Sequence, residues 1–179
     1  MSTDSKKYAK IARRYGLKKV IFRPKSISKD FSTDYEFIKH FIDSVDIDYK
    51  IIAHIRPTTP LRDVSLLDKI IKFFILNTNY SSLRAVHEDA ETAYKSFELK
   101  SKFLRPLKGI KKTMEELNNP RQGFSKTFSA NGYIDLYRKK FITKNKKLFG
   151  NNVFGYITPY TMEIDSLGEL KYMNLNTND

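Results

Sequence analysis

The sequence predicts one α/β domain in which a mostly parallel sheet carries helices on both faces. Two observations support this fold class: strand and helix patterns alternate through residues 19–88, and 179 residues is the length of a single domain. A chain of this length buries roughly 70% of its unfolded surface, so it needs no disulfide or metal to fold. We therefore expect residues 1–179 to form one domain.

The first half of the chain supplies most of this alternation. Strands are predicted at 19–22, 49–55 and 82–88. A helix over 5–15 ends at Gly16, Thr33 and Glu36 form a capping box for a second helix, and Asp63 can cap a third. The pattern places no strand ahead of the first helix, so the chain is expected to start one β–α unit late.

The second half has shorter elements. Two strands joined by a turn are predicted at 92–99 and 102–107, a helix at 110–118, strands at 132–138 and 153–158, and a final helix at 167–175. The strands at 132–138 and 153–158 are expected in or beside the sheet of the first half. Residues 92–130 are predicted to form an arm or subdomain inserted in the sheet, although their apolar side chains equally suit an ordinary core.

The composition is strongly basic, with 33 Lys and Arg against 20 Asp and Glu, or +13 at pH 7. The basic residues occur in short clusters beside predicted element edges, which favours solvated faces. Because no zinc-finger, helix-turn-helix or RNA-binding aromatic signature accompanies the charge, we expect no nucleic-acid partner. The apolar stretch at 70–76 contains Lys72, so no membrane partner is expected either.

The chain has no cysteine, which excludes a disulfide scaffold, a thiol nucleophile and cysteine zinc sites. A reducing cytosol fits this composition. The first residues, MSTDSKKYAK, lack the apolar core of a signal peptide. We therefore expect a cytoplasmic protein.

Several common catalytic motifs are missing from the sequence. Neither a GxGxxG nor a GxxxxGK[ST] phosphate loop occurs, no GxSxG elbow is present, and the three histidines show no metal-ligand spacing. What remains is a set of polar residues at predicted strand ends, where α/β sheets bind ligands. They are Arg23, Arg56, Arg62, Arg121, Asn131, Glu163 and Asp165.

Glu163 and Asp165 are two residues apart. In an extended segment both carboxylates face the same side and can hold one divalent cation. The alternative is a solvated edge in which Asp165 caps the final helix.

Four segments resemble, in order, motifs of the CMP-sialic acid synthetases, also called N-acylneuraminate cytidylyltransferases. The early part of that family is matched by Ser2-Thr3-Asp4-Ser5, Ile11-Ala12, Tyr15-Gly16 and Phe22-Arg23-Pro24. The run RPTTPLR at 56–62 resembles the family's QPTSPLR loop. Arg121-Gln122 with the NGYI run at 131–134 resembles its RQ…NGxIY segment, and MEID at 162–165 resembles its IDID metal segment. The resemblance covers nearly the whole chain.

The resemblance implies a three-layer, Rossmann-like nucleotidyltransferase fold of the GT-A-like type, with a mixed sheet and a small dimerisation arm at about 92–130. It implies a Mg²⁺-dependent reaction in which the anomeric hydroxyl of a sialic-type sugar acid attacks the α-phosphate of CTP, releasing pyrophosphate. It also implies a homodimer.

Site residues follow from the same resemblance, position by position. Glu163 and Asp165 would hold Mg²⁺, and Asp165, Arg121 and Lys95 would be catalytic. The cytidine nucleotide would be bound by Arg23, Ser32, Asp34 and Asn131. The sugar acid would be bound by Arg56, Lys95, Arg121, Asp135 and Phe149.

The sequence departs from the family pattern at several points. The family's opening strand and ARxGSKG phosphate loop are not present, so we expect an N-terminally truncated member whose sheet lacks its usual first strand. Arg56 replaces a glutamine, Glu163 replaces an aspartate, and Asp135 stands where many members carry an aromatic residue. Two alternatives to an active enzyme stay open: an impaired or inactive homologue that only binds or dimerises, and a basic nucleic-acid-binding protein, which the motif survey disfavours.

Overall fold

The computed structural model describes residues 1–176, so the last three residues of the predicted domain lie outside the described part. In chain order the elements are β1 (Ser2–Thr3), α1 (Lys6–Arg14), β2 (Ile21–Phe22), α2 (Asp34–Ser44), β3 (Ile51–His54), α3 (Val64–Leu76), β4 (Ser82–Glu88), β5 (Phe97–Lys100), β6 (Phe103–Pro106), α4 (Met114–Leu117), β7 (Phe128–Arg138), α5 (Lys139–Asn145), β8 (Val153–Ile157) and α6 (Leu167–Asn176).

The central sheet has four strands in the order β3-β7-β4-β8. β4 and β8 are parallel, whereas β7 runs antiparallel to both β3 and β4. The sheet is therefore mixed, as the resemblance implied. β3, β4 and β8 run in the same direction, as the alternation predicted, and β7 enters between β3 and β4 in the opposite direction. The carboxyl ends of β3, β4 and β8 all point to one edge.

Helices cover both faces of this sheet, which confirms the three-layer α/β class. On one face, Ile70 and Phe74 of α3 pack against Leu83, Ile134 and Leu136 of the sheet. The opposite face is covered by α2 and α5, whose buried residues pack around Ile52 and Tyr137. Successive side chains of a strand point to opposite faces, so β7 contributes to both cores.

The amino-terminal segment differs from the prediction in two ways. A short strand, β1, does precede α1 and pairs in parallel with β2. The strand predicted at 19–22 is reduced to β2 and pairs with β1 in a two-stranded sheet of its own, not in the central sheet. A two-residue strand has no hydrophobic period to detect, which is why the sequence pattern missed β1.

Residues 97–106 form an antiparallel hairpin, β5–β6, as a separate two-stranded sheet within the segment predicted as an arm. The predicted strand at 92–99 begins later than expected because Thr92 Oγ1 caps a short 3₁₀ turn over Ala93–Lys95. The helix predicted at 110–118 is likewise shorter, since the Thr113–Glu116 capping box starts it at Met114.

The predicted helix starts are confirmed at two places. Thr33 and Glu36 form a reciprocal capping box on α2, and Asp63 accepts a hydrogen bond from the backbone of Ser65 at the start of α3. Helix α5 was not predicted; its first residue directly follows β7, and Arg138 at its N-cap offers no side-chain capping bond. Within residues 1–176, no helix combines the length and apolar content needed to cross a membrane.

Candidate active site

The loop after β3, residues 55–62, is fastened to β7 by Arg62. Its Nε donates to the carbonyl of Tyr133 at 2.7 Å, and its Nη2 donates to the carbonyls of Arg56 at 2.6 Å and Gly132 at 2.9 Å. Three carbonyl acceptors around one guanidinium fix the loop in place. The sequence singled out Arg62 as a site residue, and in the structure its role is to shape the loop.

β7 carries a large bulge where it passes this loop. Arg84 of β4 is opposite Asp135, but Val86, two residues on, is opposite Ala130, so five steps on β7 match two on β4. Gly132 lies inside the bulge with a φ of 63°, in the left-handed region that glycine adopts without strain. The bulge places the backbone of residues 131–134 at the edge of the sheet where the parallel strands end.

Glu163 lies directly on this bulge. A β-carbon built on Gly132 would come within 2.0 Å of Glu163 Oε1 and 2.6 Å of Thr59 Oγ1. Thr59 Oγ1 contacts Glu163 Oε1 at 3.5 Å, and the amide of Ile164 donates to the carbonyl of Thr58 at 2.8 Å. The acidic segment is thus held against the loop after β3 by its backbone as well as by its side chain.

Asp165 is not the cap of α6. Ser166 and Glu169 cap that helix: Ser166 Oγ accepts from the amide of Glu169 at 3.2 Å, and Glu169 Oε2 accepts from the amides of Asp165 and Ser166 at 2.9 and 2.8 Å. Throughout residues 1–176, no hydrogen bond or ion pair engages the exposed carboxylate of Asp165. The alternative in which Asp165 serves as a helix cap is therefore wrong.

The donor atoms at this edge suit a hard cation. Glu163 offers a half-buried carboxylate beside a threonine hydroxyl, and Asp165 offers an open carboxylate two residues on. Oxygen ligands of this kind are those that Mg²⁺ takes, commonly with one or two carboxylates completed by substrate phosphate and water. The residues present therefore fit Mg²⁺ by the chemistry of their donors.

A second group of charges lies on the α2 side of the sheet; we call it the ion-pair network (Asp34, Arg56, Arg84 and Asp135). Arg56 Nη1 donates to Asp135 Oδ2 at 2.8 Å and Nη2 donates to Asp34 Oδ2 at 2.5 Å. Arg84 Nε is 3.5 Å from Asp135 Oδ1, and Tyr137 donates its hydroxyl to Asp135 Oδ2 at 3.3 Å. Asp135 is 2% exposed, so these partners must compensate the free-energy cost of burying its carboxylate.

Burial and the neighbouring charges set the protonation of this network. Burial lowers the pKa of His54 to about 4, with help from the positive charge of Arg56, and Asp34 at 4.0 Å does not restore it. Burial opposes the charge of Arg56, yet its hydrogen bond to Asp135 holds its pKa above the ordinary value. Burial and Asp135 raise the pKa of Tyr137. At neutral pH, His54 is therefore neutral and Tyr137 keeps its proton.

Asp34, His54 and Asp135 bring ligand atoms within 4.8 Å of one another, which is close enough to hold a metal. The guanidinium of Arg56, however, donates to both carboxylates. Because that guanidinium already supplies the positive charge between them, this group is an ion-pair network and not a second metal centre.

Asn131 and Arg23, both predicted at the nucleotide, lie in different surroundings. Asn131 is buried: its Nδ2 donates to Thr158 Oγ1 at 2.6 Å and its Oδ1 accepts from the amide of Tyr133, so it ties the bulge to the end of β8. Arg23 pairs with Asp4 at 3.9 Å and lies over the ring of Phe37, 5.3 Å from its centroid.

Ser32 lies in the loop that leads into α2, two residues before Asp34. Its Oγ accepts from the amide of Lys29 at 2.9 Å. The side chain is half-buried and already engaged in shaping this loop. Ser32 thus lies two residues before the network residue Asp34, and its hydroxyl is bonded to the backbone of Lys29.

Lys95 and Arg121 belong to a separate group beside the end of β4. Arg121 Nη1 donates to the carbonyl of Ala90 at 2.8 Å, and Lys95 Nζ donates to the carbonyl of Asn119 at 2.9 Å. Arg121 lines a cleft of about 370 Å³ whose walls are residues 88–90, Thr92, Gln122 and 124–127. The structure therefore gathers Asp34, Arg56 and Asp135 in one place and Lys95 and Arg121 in another.

Sequence reasoning missed Arg84, which joins Phe149 to the network. Its Cζ lies 5.2 Å from the centroid of the Phe149 ring, and that ring meets Tyr137 edge-on at 5.5 Å. The available signal was a charged residue inside a buried strand: β4 alternates Ser82 and Arg84 on one face with Leu83 and Ala85 on the other. Only the pairing of β4 with β7 reveals that Arg84 faces Asp135.

Comparison with known proteins decides the family. The profile of a family described as cytidylyltransferase matches residues 1–175. This chain belongs to the cytidylyltransferase family. Over 169 residues it is 25% identical to the N-acylneuraminate cytidylyltransferase of Escherichia coli O18:K1:H7, an alignment that covers 92% of this chain and 38% of that protein. The chain thus spans well under half the length of that curated relative.

Solved structures agree with this cytidylyltransferase fold. A CMP:2-keto-3-deoxy-manno-octonic acid synthetase complexed with CTP superposes with a TM-score of 0.67 at 12% identity, covering 98% of this chain and 78% of that one. The 4-diphosphocytidyl-2C-methyl-D-erythritol synthase of Anaerococcus prevotii gives 0.61 at 8% identity, covering 97% and 78%. At such low identity these similarities establish the fold alone.

Proposed function

We propose that this chain carries the active site of a cytidylyltransferase that joins CMP to a sialic-type 2-keto sugar acid. The observation that carries the proposal is the meeting of Glu163, the Gly132 bulge and the loop after β3 at the edge where β3, β4 and β8 end. Ligands of α/β sheets bind at this edge, and family membership makes CTP the nucleotide.

In the proposed reaction the anomeric hydroxyl of the sugar acid attacks the α-phosphorus of CTP. A new bond forms between the anomeric oxygen and that phosphorus, the bond from the α-phosphorus to the bridging oxygen breaks, and pyrophosphate leaves with the bond electrons. The hydroxyl proton passes to solvent or phosphate. Such a reaction depends on positioning and on neutralising phosphate charge, not on a protein nucleophile.

Glu163 and Asp165 are the residues proposed to hold Mg²⁺, which when bound would neutralise the phosphate charge and orient the leaving group. Gly132 leaves room for the Glu163 carboxylate, and Thr59 and the Thr58 carbonyl hold its segment in place. The capping of α6 by Ser166 and Glu169 leaves Asp165 free for this role.

The remaining predicted residues are proposed to bind the two substrates. Arg23, Ser32, Asp34 and Asn131 would lie beside the nucleotide, Asn131 acting through the shape of the bulge. Lys95 and Arg121 beside the β4 cleft would meet anionic groups of the phosphates or the sugar acid, with Arg56, Asp135 and Phe149 forming a wall of the sugar site. A sugar acid is supported by the relatives, two of which are named for cytidylyl transfer to acylneuraminate or to 2-keto-3-deoxy-manno-octonic acid.

The β5–β6 hairpin is proposed to be a dimerisation arm of a homodimer. It exposes Leu99, Phe103 and Leu104, which are 68%, 66% and 50% accessible. Exposed apolar groups at one projecting element favour contact with another protein surface. A Phe103→Glu variant should shift the mass measured by light scattering from dimer to monomer, and a parent that is already monomeric would contradict the arm.

The proposal is tested by pyrophosphate release from CTP with N-acetylneuraminate and with 2-keto-3-deoxy-manno-octonate, with and without Mg²⁺. We expect release with CTP, much less with UTP, and none with Glu163→Gln. Glu115→Gln, which removes an exposed carboxylate on α4, is the matched control and should keep full activity. Equal activity of the Glu163 and Glu115 variants would contradict the proposed cation site.

A further inference from the structure

Arg56, the cation that the resemblance places at the sugar, is already occupied by protein carboxylates. Both of its terminal nitrogens donate to aspartates, one to Asp135 and one to Asp34, and its side chain is 22% exposed. Two carboxylates around one guanidinium leave no net positive charge there. A substrate carboxylate would have to displace one of them to gain a bidentate contact.

The neighbouring arginines are committed as well. Arg62 donates to three backbone carbonyls, which hold the loop after β3. Arg23 pairs with Asp4 and lies over Phe37. Arg121, in the separate cleft, donates one terminal nitrogen to Ala90. None of these offers a free, fixed guanidinium fork beside Asp135.

Arg84 differs from Arg23 because its ion pair uses Nε and leaves both terminal nitrogens unpaired, whereas Arg23 pairs through Nη2. The side chain of Arg84 is 40% exposed, its Nε lies 3.5 Å from Asp135, and its plane is near the ring of Phe149. Across residues 1–176 its terminal nitrogens have no hydrogen-bond or ion-pair partner, and the buried Nε makes the ion pair without a formal hydrogen bond. The base of the guanidinium is therefore held while its outer donors remain open.

We propose that Arg84 binds the carboxylate of the sugar-acid substrate, with Asp135 as the residue that positions it. This inference rests on the proposed function and names the group that recognises the acid. Asp135 pairs with Arg84 only through Nε, and the side chain of Arg84 is 40% exposed, so its terminal donors remain open. A planar guanidinium with two open donors matches a carboxylate bidentately, and Phe149 supplies an apolar wall beside it.

The position of Arg84 agrees with this role. Arg84 is opposite Asp135 in the sheet. Asp135 lies three residues after Gly132 on β7, and Gly132 is the residue that Glu163 contacts. Three residues of strand span at most about 10 Å, and the bulge shortens that distance. Arg84 is thus one cross-strand pair away from Asp135, which lies on the same strand as the Gly132 contact of the proposed cation site.

The test compares Arg84→Gln and Arg84→Lys with the parent chain, using N-acetylneuraminate, 2-keto-3-deoxy-manno-octonate and the C1 methyl ester of each. Arg14→Gln, which removes an exposed arginine of α1, is the matched control. We expect the KM for the acid to rise about 10–100-fold in Arg84→Gln, as loss of a charged hydrogen-bonded contact implies, with kcat retained. The KM for CTP should not change.

The neutral ester should bind the parent and Arg84→Gln equally weakly, since neither pairing has the ionic contact. If Arg84→Gln does not fold, Arg84→Lys decides: it keeps the charge but loses the planar fork, and its KM for the acid should still rise several-fold. If the parent turns over the acid, and the Arg84 variants have the same KM for it as Arg14→Gln, this inference is overturned and the proposed function stands. A parent that turns over neither acid overturns both.

Discussion

The carboxylate of Glu163 occupies the space in which Gly132 would carry a side chain, with Oε1 only 2.0 Å from an ideal β-carbon. The two residues come from distant parts of the chain and meet where β3, β4 and β8 end. Glycine is therefore needed at position 132 for two reasons: the backbone there has a positive φ, and the Glu163 carboxylate fills the space of a side chain.

Gly132→Ala should both destabilise the fold and displace Glu163. A left-handed φ costs an L-residue about 1–2 kcal/mol, and the contact with the carboxylate adds to it. Gly109→Ala is the control, because Gly109 has a φ of 95° but open space around its β-carbon. Chemical denaturation should show a greater loss of unfolding free energy for Gly132→Ala than for Gly109→Ala, and pyrophosphate release should fall only in the former. Equal losses would mean that Glu163 moves away freely.

Asp165→Asn should abolish Mg²⁺-dependent CTP binding and leave the thermal melt nearly unchanged. The reason is that Ser166 and Glu169, not Asp165, cap α6. Ser166→Ala provides the opposite pattern: loss of an N-cap costs about 1 kcal/mol, and the carboxylate pair remains. Titration calorimetry with CTP and Mg²⁺, alongside melting curves, separates the two. Unfolding of Asp165→Asn without any effect on CTP binding would refute the cation role.

The sequence predicted the elements whose cause is local. The capping box at Thr33, the cap at Asp63 and the span of β4 follow from residues a few positions apart, and the structure confirms them. The two-residue strand β1 was not predicted because it forms only by pairing with β2, eighteen residues away. Helix α5 was not predicted because no capping side chain marks its start.

The candidate site could be predicted only in part, for a related reason. Arg56, Asp34 and Asp135 were recognised as separate polar positions, but their ion pairs depend on the antiparallel entry of β7 between β3 and β4. Arg84 faces Asp135 through the same pairing. The register of β7 also shifts by three residues at the bulge, and a strand pattern that assumes a period of two has no means of detecting that shift.

Asp135→Asn should destabilise the protein strongly because Asp135 accepts hydrogen bonds from Arg56 and Tyr137 and forms an ion pair with Arg84. Removing one partner of a buried ion pair costs about 3–5 kcal/mol. Asp43→Asn is the control: Asp43 forms a surface pair with Lys39 on α2, and exposed pairs contribute at most about 1 kcal/mol. Urea unfolding should separate the two variants clearly. Comparable midpoints would show that Arg56 and Asp34 suffice without Asp135.

His54 should make the protein less stable in mild acid. Its folded pKa, about 4, lies below the ordinary value of 6.5, so the unfolded chain binds the proton more readily and the unfolding free energy falls as pH drops from about 6.5 toward 4. A shift of this size corresponds to about 3 kcal/mol at most. The charges facing His54 are Asp34, Asp135, Arg56 and Arg84.

The measurement is the slope of unfolding free energy against pH between about 4.5 and 6.5, because the carboxylates contribute mainly below that window. His54→Gln should flatten this slope. His40→Gln, which removes a histidine on α2 instead of on β3, is the control. The same slope in the parent and in His54→Gln would show that the imidazole is not held neutral in the folded state.

Cytidylyl transfer to a sugar acid can be followed through the phosphorus atoms of CTP. The chain is incubated with Mg²⁺, N-acetylneuraminate or 2-keto-3-deoxy-manno-octonate, and CTP labelled at either the α- or the γ-phosphate. We expect the α-label in a CMP–sugar conjugate and the γ-label in pyrophosphate, in equal amounts, and neither product with Glu163→Gln. Label that stays in CTP with both acids, or γ-label released as free phosphate without a sugar conjugate, would rule out this transfer.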